Sequence, residues 1–308
     1  MNKVKTPVLA VRDLRIGFSM YQKGLRQTEL VTIQSLNLDV YQGEILAVVG
    51  SSGSGKSLLA HAVLGILPAN ASQKGSIRYN GQELTPELQN KLRGSEIALI
   101  PQSVDYLDPL MKVGKQVIGT KSTAQAQKAA FRRYGLAEQT AKMYPHQLSG
   151  GMARRVLIST AVTITPKLIV ADEPTPGLPV ELAQRTLGHF RELADAGAAI
   201  LLITHDIDLA LSVADRIAVF YAGTTVEIAP AEDFKAGKDA LRHPYSKAFI
   251  DALPQNSFRA IPGSQPYAGN LPSGCLFADR CPERTDACSQ DLTMRELRDG
   301  EVLCVNAT

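Results

Sequence analysis

The chain carries several distinct hydrophobic rhythms. Residues 8–18 read as a strand. Residues 30–40 alternate apolar and polar positions (Val31, Ile33, Leu36, Leu38, Val40), and together the two predict an antiparallel pair. Then come short apolar runs at 45–49, 96–100, 168–171 and 199–203. Runs of this length without polar interruption fit strands buried on both faces of a parallel sheet. Residues 58–67 are apolar on most sides and predict a buried helix. Val180, Ala183, Leu187, Phe190 and Ala194 share one face of another. Two hairpins are expected, one at 76–79 running into Asn80-Gly81. The other joins 217–221 to 224–228 through Ala222-Gly223. Residues 103–146 are more polar, with Gln-, Ala-, Lys- and Arg-rich helical composition at 123–134, and predict a helical insertion. Past about Pro230 the pattern loosens: a helix at 244–253, then an extended Pro-, Gly-, Ser- and Asn-rich linker at 254–274.

Composition narrows this little. With 308 residues, 44% hydrophobic and 20% charged, the chain can hold one large domain with an appendage. A net charge of +3 is too small to argue for nucleic acid as a partner. No apolar run approaches the roughly 20 residues that span a bilayer, and the first residues lack a signal-type apolar core. A soluble, cytosolic protein is expected.

The chemistry sits at the ends of the apolar runs. After 45–49 come Gly50, Ser51, Ser52, Gly53, Ser54, Gly55, Lys56 and Ser57, the spacing of a phosphate-binding loop between a strand and a helix. Its glycines let backbone N–H groups face phosphate oxygens. Lys56 can reach the β- and γ-phosphates, and the Ser57 hydroxyl can ligate Mg2+. The following helix adds free N–H groups and a positive dipole end. The run at 168–171 ends in Asp172-Glu173: an aspartate placed to hold Mg2+ and a glutamate placed to orient or deprotonate a water. His205 follows the run at 199–203, at the end where α/β proteins keep functional groups. Ser149-Gly150-Gly151 opens an apolar-periodic helix and offers a second anion site. On its own it reads equally as an N-cap serine with loop glycines. Phe18 or Tyr21 can stack on an adenine ring, with a core position at a strand end as the alternative for Phe18.

Taken together, Gly50–Ser57, Gln102, the stretch Leu148–Met152, the strand 168–172 with Glu173, and His205 resemble the nucleotide-binding subunits of ABC transporters in five motifs and in their order. Within that family the chain is similar to the peptide and nickel importer group, nearest its dipeptide and oligopeptide branch. The likeness is carried by 143–146 (Met-Tyr-Pro-His), 107–109 (Leu-Asp-Pro), His243-Pro244-Tyr245-Ser246, 261–263, 274–277 and 280–282. The resemblance implies an α/β P-loop ATPase with a mixed sheet core, an antiparallel N-terminal β subdomain and a helical insertion. Residues 1–253 would form the nucleotide-binding domain, with its helical part at about 103–147, and 254–308 a small cysteine-containing appendage. ATP would lie between Gly50–Ser57 of one subunit and Ser149, Gly150 and Gly151 of another. Ser57, Gln102 and Asp172 would hold Mg2+, Glu173 and His205 would serve catalysis, and Gln102 would sense the γ-phosphate. Implied partners are a second, related ATPase subunit (an identical one being the alternative), two membrane-spanning permease subunits and an external solute-binding protein. The implied place is the cytoplasmic face of the inner membrane, and the implied task is import of a peptide, nickel or a related small solute.

Two positions depart from the family pattern. Pro179 stands where an aspartate is usual, and Arg154 where glutamine is common. Both are expected on the surface that meets the opposite subunit, making the site that uses this chain's Lys56 and Glu173 the main hydrolytic one. All the cysteines, Cys275, Cys281, Cys288 and Cys304, fall in the tail, with five, six and fifteen residues between them. These spacings fit neither the usual zinc pairs nor the ferredoxin run. Four thiols so close in a cytosolic chain suggest a metal site over disulfides, with a small thiol-packed cap as the alternative. A similar tail in the peptide-importer group is associated with an iron–sulfur cluster, so the resemblance implies a 4Fe–4S cluster on these four. The rival functions are a soluble ABC ATPase without a membrane partner and a P-loop kinase. Leu148–Met152, which resembles the family's signature, and His205 argue against the kinase.

Overall fold

The computed structural model describes residues 6–21, 27–51 and 53–308. Among them the strands are, in chain order, β1 (Leu9–Tyr21), β2 (Gln27–Val40), β3 (Ile45–Gly50), β4 (Ala71–Tyr79), β5 (Gln82–Glu83) and β6 (Ile97–Ile100). Then follow β7 (Leu168–Asp172), β8 (Ala199–Ile203), β9 (Arg216–Tyr221), β10 (Thr224–Pro230), β11 (Arg295–Leu297) and β12 (Gly300–Val302). They join in the order β5-β4-β1-β2-β10-β9-β3-β8-β7-β6, with β12 branching from β10.

The apolar runs occupy the middle. β3 is parallel to both neighbours, β8 and β9, and β8, β7 and β6 continue the parallel set. Every residue of β3, β7 and β8 is buried. Because side chains alternate along a strand, β3 sends Ile45, Ala47 and Val49 into one apolar cluster and Leu46 and Val48 into the other. Both faces are therefore covered, as the unalternating sequence requires. The expected antiparallel pair is β1 with β2, and both expected hairpins form, β4 with β5 and β9 with β10.

Two expectations are corrected, and the helical insertion shows a further feature. The helix expected at 58–67 is Lys56–Leu64; Gly65 turns left-handed (φ 64°) and stops it three residues short of Leu67. Val180 is 69% exposed, because it is the first residue of helix Val180–Asp195 and lies outside the buried stripe that begins at Ala183. The helical insertion does not close on itself. Its apolar cluster of Leu107, Val117 and Phe131 is completed by Val156 and Leu157 of helix Gly150–Val162.

The tail is not a separate body. Cys275, Phe277 and Cys288 belong to the same cluster as Ile45 and Val49, and β12 pairs with β10 and β11. Among the described residues no helix is long and apolar enough to cross a membrane.

Candidate functional site

β3 ends at Gly50, where a Cβ would come within 2.3 Å of the Phe220 carbonyl oxygen, so only glycine fits. The loop then turns into helix Lys56–Leu64 through Gly55, whose φ is +93°. Lys56 is buried, and its Nζ donates to the carbonyls of Gly50 (2.8 Å) and Ser51 (2.9 Å). Burial pulls its pKa down, against the opposing pull of Glu173 and Asp172. Ser54 is buried too, and its Oγ has no partner among the described residues. Ser52 lies outside the described residues.

β7 brings its two acids beside this loop. Ser57 Oγ donates to Asp172 Oδ1 at 3.2 Å. Burial pushes the Asp172 carboxyl up to about 6, and Glu173 adds to the rise. The Ser57 hydrogen bond, Lys56 and Arg154 oppose it. A divalent cation bound there would discharge the proton. Glu173 takes a left-handed φ of 48°, uncommon for a side chain of its size. Its carboxylate oxygens lie 2.9 Å and 2.8 Å from His205 Nδ1, at the end of β8. That leaves His205 Nε2 for another partner.

These groups share one cavity of about 630 Å³, lined by Thr32, Gly53, Gly55, Lys56, Ser57, Leu58, Gln102, Glu173 and His205. Besides Thr32 of β2, four stretches far apart in sequence thus converge where the parallel strands end, the expected place for a ligand in an open α/β sheet. Asp172 stands behind Ser57, outside the lining. Ser149 caps helix Gly150–Val162, accepting from Met152 N at 3.3 Å; it and Gly150 are exposed and neither lines the cavity. Phe18 is half-buried against the cluster formed by β1 and its neighbours, the core position weighed as its alternative, and it does not line the cavity either.

The expectation for Arg154 is corrected. It points inward, 8% exposed, and its Nη1 donates to the Pro101 carbonyl (2.8 Å) while Nη2 donates to that of Gln102. A helix one turn past its cap still faces the body it packs on, so Arg154 is a partner of this chain's own Pro101-Gln102 segment, the glutamine loop. Pro179 is the N-cap of helix Val180–Asp195 and supplies no side-chain cap.

Sequence reasoning missed the contact between the linker and the phosphate loop. Ser51 Oγ donates to Gln265 Oε1 at 2.6 Å. It also missed Thr32, which nothing distinguishes within an alternating strand. The tail folds three of its cysteines inside, with Cys281 half-buried, and all are free thiols. Burial raises the thiol pKa of Cys275, Cys281 (to about 11) and Cys304, and neighbouring cysteines add to each rise. Cys288 Sγ lies within hydrogen-bonding reach of Thr285 N and Asn306 Nδ2. A set of four soft sulfur donors suits iron or zinc in kind. Its spacing does not: among the described residues no three His, Cys, Asp or Glu side chains are grouped to hold a metal ion.

A family model described as "ABC transporter" matches residues 33–176, and one described as "Oligopeptide/dipeptide transporter, C-terminal region" matches 226–288. The oligopeptide transport ATP-binding protein OppD of Escherichia coli (strain K12) is 36% identical over 316 residues, covering 96% of this chain and 91% of its own. The dipeptide transport ATP-binding protein DppD of the same organism is 36% identical over 87% of this chain and 88% of its own. The fold is similar to that of the dimeric bacterial ABC transporter cassette MJ0796, with a TM-score of 0.64, 23% identity, and coverage of 72% of this chain and 98% of that one.

Proposed function

Because the chain belongs to the ATP-binding subunits of ABC transporters, we propose that it hydrolyses ATP at the cavity around Lys56 to drive the uptake of peptides. The convergence of Lys56, Ser57, Gln102, Glu173 and His205 on that one cavity carries the reading. The chain is an ABC ATPase of an importer, and ATP with Mg2+ is what such an ATPase uses. In the proposed reaction, the loop N–H groups and the Lys56 ammonium bind the β- and γ-phosphates. Ser57, Gln102 and, behind them, Asp172 would hold Mg2+, which would supply charge neutralisation on the phosphates. Glu173 accepts a proton from the water that attacks the γ-phosphorus. The bond to the β–γ bridging oxygen breaks, and ADP and phosphate leave. His205, steadied through Nδ1 by Glu173, offers Nε2 to the γ-phosphate oxygens.

The exposed position of Ser149 and Gly150 supports a site completed by a second ATPase subunit. We read that subunit as a related, non-identical chain, with residues 1–253 as the nucleotide-binding domain, 254–308 as its tail, two permease subunits in the membrane and a solute-binding protein outside. The chain then works at the cytoplasmic face of the inner membrane. With Arg154 turned inward, only Pro179 remains to weaken the composite site that borrows this chain's signature. Removing the catalytic glutamate from each subunit in turn ranks the two sites. An iron–sulfur cluster on Cys275, Cys281, Cys288 and Cys304 is supported by the donor type alone and needs the thiols to draw together; iron and zinc analysis of anaerobically purified protein decides it.

Affinity purification from detergent-solubilised membranes tests the central reading, together with uptake of a labelled peptide by cells lacking this chain. Capture of integral membrane subunits and loss of uptake are expected. A chain that hydrolyses ATP at full rate alone and brings down no membrane protein is the soluble ATPase of the rival reading.

A further inference from the structure

We infer that Arg154 is a positioning residue of the ATPase: it bolts the glutamine loop to the helix bearing the signature, so that Gln102 and Ser149–Gly151 move as one piece. The inference rests on the reading of Gln102 as the residue that meets Mg2+ and the γ-phosphate.

The geometry is specific. Helix Gly150–Val162 presents Ser149 and Gly150 outward at its start, and one turn later turns Arg154 under Pro101-Gln102. No other hydrogen bond reaches the two carbonyls at 101 and 102 among the described residues. Pro101 has no N–H to donate, so the loop's end hangs on this one guanidinium. The attachment is costly to build. A buried guanidinium loses hydration, here both acceptors are neutral, and Arg154 Nε has no partner among the described residues. The compensating charge comes from Asp172 and Glu173, which lie within electrostatic reach. A planar fork with two parallel donors spans two successive carbonyls in a way a lysine cannot.

The consequence is mechanical. A rigid helix that shifts as its start engages a second subunit carries Arg154, and with it the Gln102 backbone, by the same amount. The Gln102 side chain lines the cavity beside Ser57 and Glu173. Displacements of about 1 Å at such a point can cost up to about a hundredfold in rate. Arg154 therefore links the surface offered to one nucleotide with the side chain that reads the other.

The test is a double-mutant cycle on kcat and KM for ATP in the assembled complex. Arg154→Met is expected to lower kcat about tenfold with KM within about twofold, since positioning acts on the reacting geometry. Arg154→Lys, which reaches one carbonyl, should recover part of the loss. In a Gln102→Ala background, Arg154→Met should cost no more than about twofold further, because the residue it positions is gone. A wild-type kcat in Arg154→Met, or the same tenfold loss in both backgrounds, overturns the inference. An unchanged kcat in Gln102→Ala alone overturns the reading of the cavity on which it rests. Should the Met variant fail to assemble, Arg154→Gln and Arg154→Lys run the same cycle.

Discussion

The cavity around Lys56 and the C-terminal arm meet at Ser51, yet they are put together differently. Most of the cavity's residues come from the ends of buried strands and the start of a helix, where the backbone itself presents them. The arm, from 254 to 308, contains only single 3-10 turns and the short pair β11 and β12 among its described residues. Buried apolar residues and the β12–β10 pairing join it to the body, and within it arginines reaching main-chain oxygens brace the loops. Arg280 donates to the carbonyls of Pro262 (2.7 Å) and Ile261 (3.1 Å) and to the Tyr221 hydroxyl (3.1 Å), and Arg295 to the carbonyl of Cys304 (3.1 Å). A site built on backbone geometry needs particular residue types at fixed spacing. An arm built on long side chains needs only that something reaches. Changes in the cavity should therefore cost turnover, and changes in the arm should cost stability.

The largest effect sharpens that contrast. Lys56→Ala and Glu173→Gln in the assembled complex should each lower ATP turnover by at least about a hundredfold. Glu173→Gln should keep ATP binding, because the phosphate contacts survive while water activation does not. Unfolding midpoints should barely move. Turnover near wild type in either variant removes the cavity from the chemistry.

The next effect belongs to the arm's anchor. Arg242 and Glu227 are 1% and 0% exposed. Arg242 Nη1 lies 3.4 Å from Glu227 and 2.7 Å from Asp233, and its Nε donates to the Leu297 carbonyl at 2.6 Å. Glu227 in turn accepts from the backbone N–H groups of Arg242 and His243, each at 2.9 Å. Arg242→Met leaves that carboxylate buried without its cation and should cost about 3–5 kcal/mol in denaturant unfolding. ATPase activity of the folded fraction should persist. A variant of normal stability with lost turnover would break the comparison.

The same contrast explains what was legible in the sequence. The core sheet was readable because a strand buried on both faces must be apolar throughout; Gly50 sits at a strand end where any Cβ would strike the Phe220 carbonyl, and Asp172-Glu173 stands out as the charged end of an apolar run. Arg154 was misread because a charge on an amphipathic helix is ordinarily taken for a surface group; only the two carbonyls opposite it make the inside acceptable. Val180 fitted the helical period and still fell outside the core, since periodicity says nothing about where a helix first meets the body. The composition of 254–274 rightly excluded regular structure. It held no sign that Gln265 would reach Ser51, because one side-chain hydrogen bond leaves no periodic trace.

A smaller effect should appear with pH. His243 is buried, its Nδ1 accepts from Tyr245 N at 2.9 Å, and its Nε2 has no partner among the described residues. Burial pulls its pKa down to about 3. The folded protein therefore refuses a proton that the unfolded chain binds below about 6.5, so stability rises with pH between those values. The contribution is complete above about 6.5 and is lost as pH falls. Between pH 7.5 and pH 5 this residue should remove about 2 kcal/mol of unfolding free energy. His243→Asn keeps a capping acceptor and does not titrate, so its unfolding should change with pH by about that much less. An identical pH dependence in the two proteins would mean His243 is not the group responsible.

The smallest effect lies where the two regions touch. Gln265 accepts from Ser51 Oγ while Lys56 rests on the carbonyls of Gly50 and Ser51. An incoming phosphate must draw Lys56 away from those carbonyls. Whatever fixes Ser51 in this arrangement favours the state in which Lys56 is occupied by its own loop. A neutral hydrogen bond is worth about 0.5–1.5 kcal/mol net. Gln265→Ala should shift the balance toward the open loop and lower KM for ATP by about threefold, with kcat unchanged. A KM that rises instead would mean the arm braces the loop in its ATP-bound shape. A kcat that falls by about a hundredfold would put Gln265 among the groups that act on the reaction, and the division between a catalytic cavity and a structural arm would no longer hold.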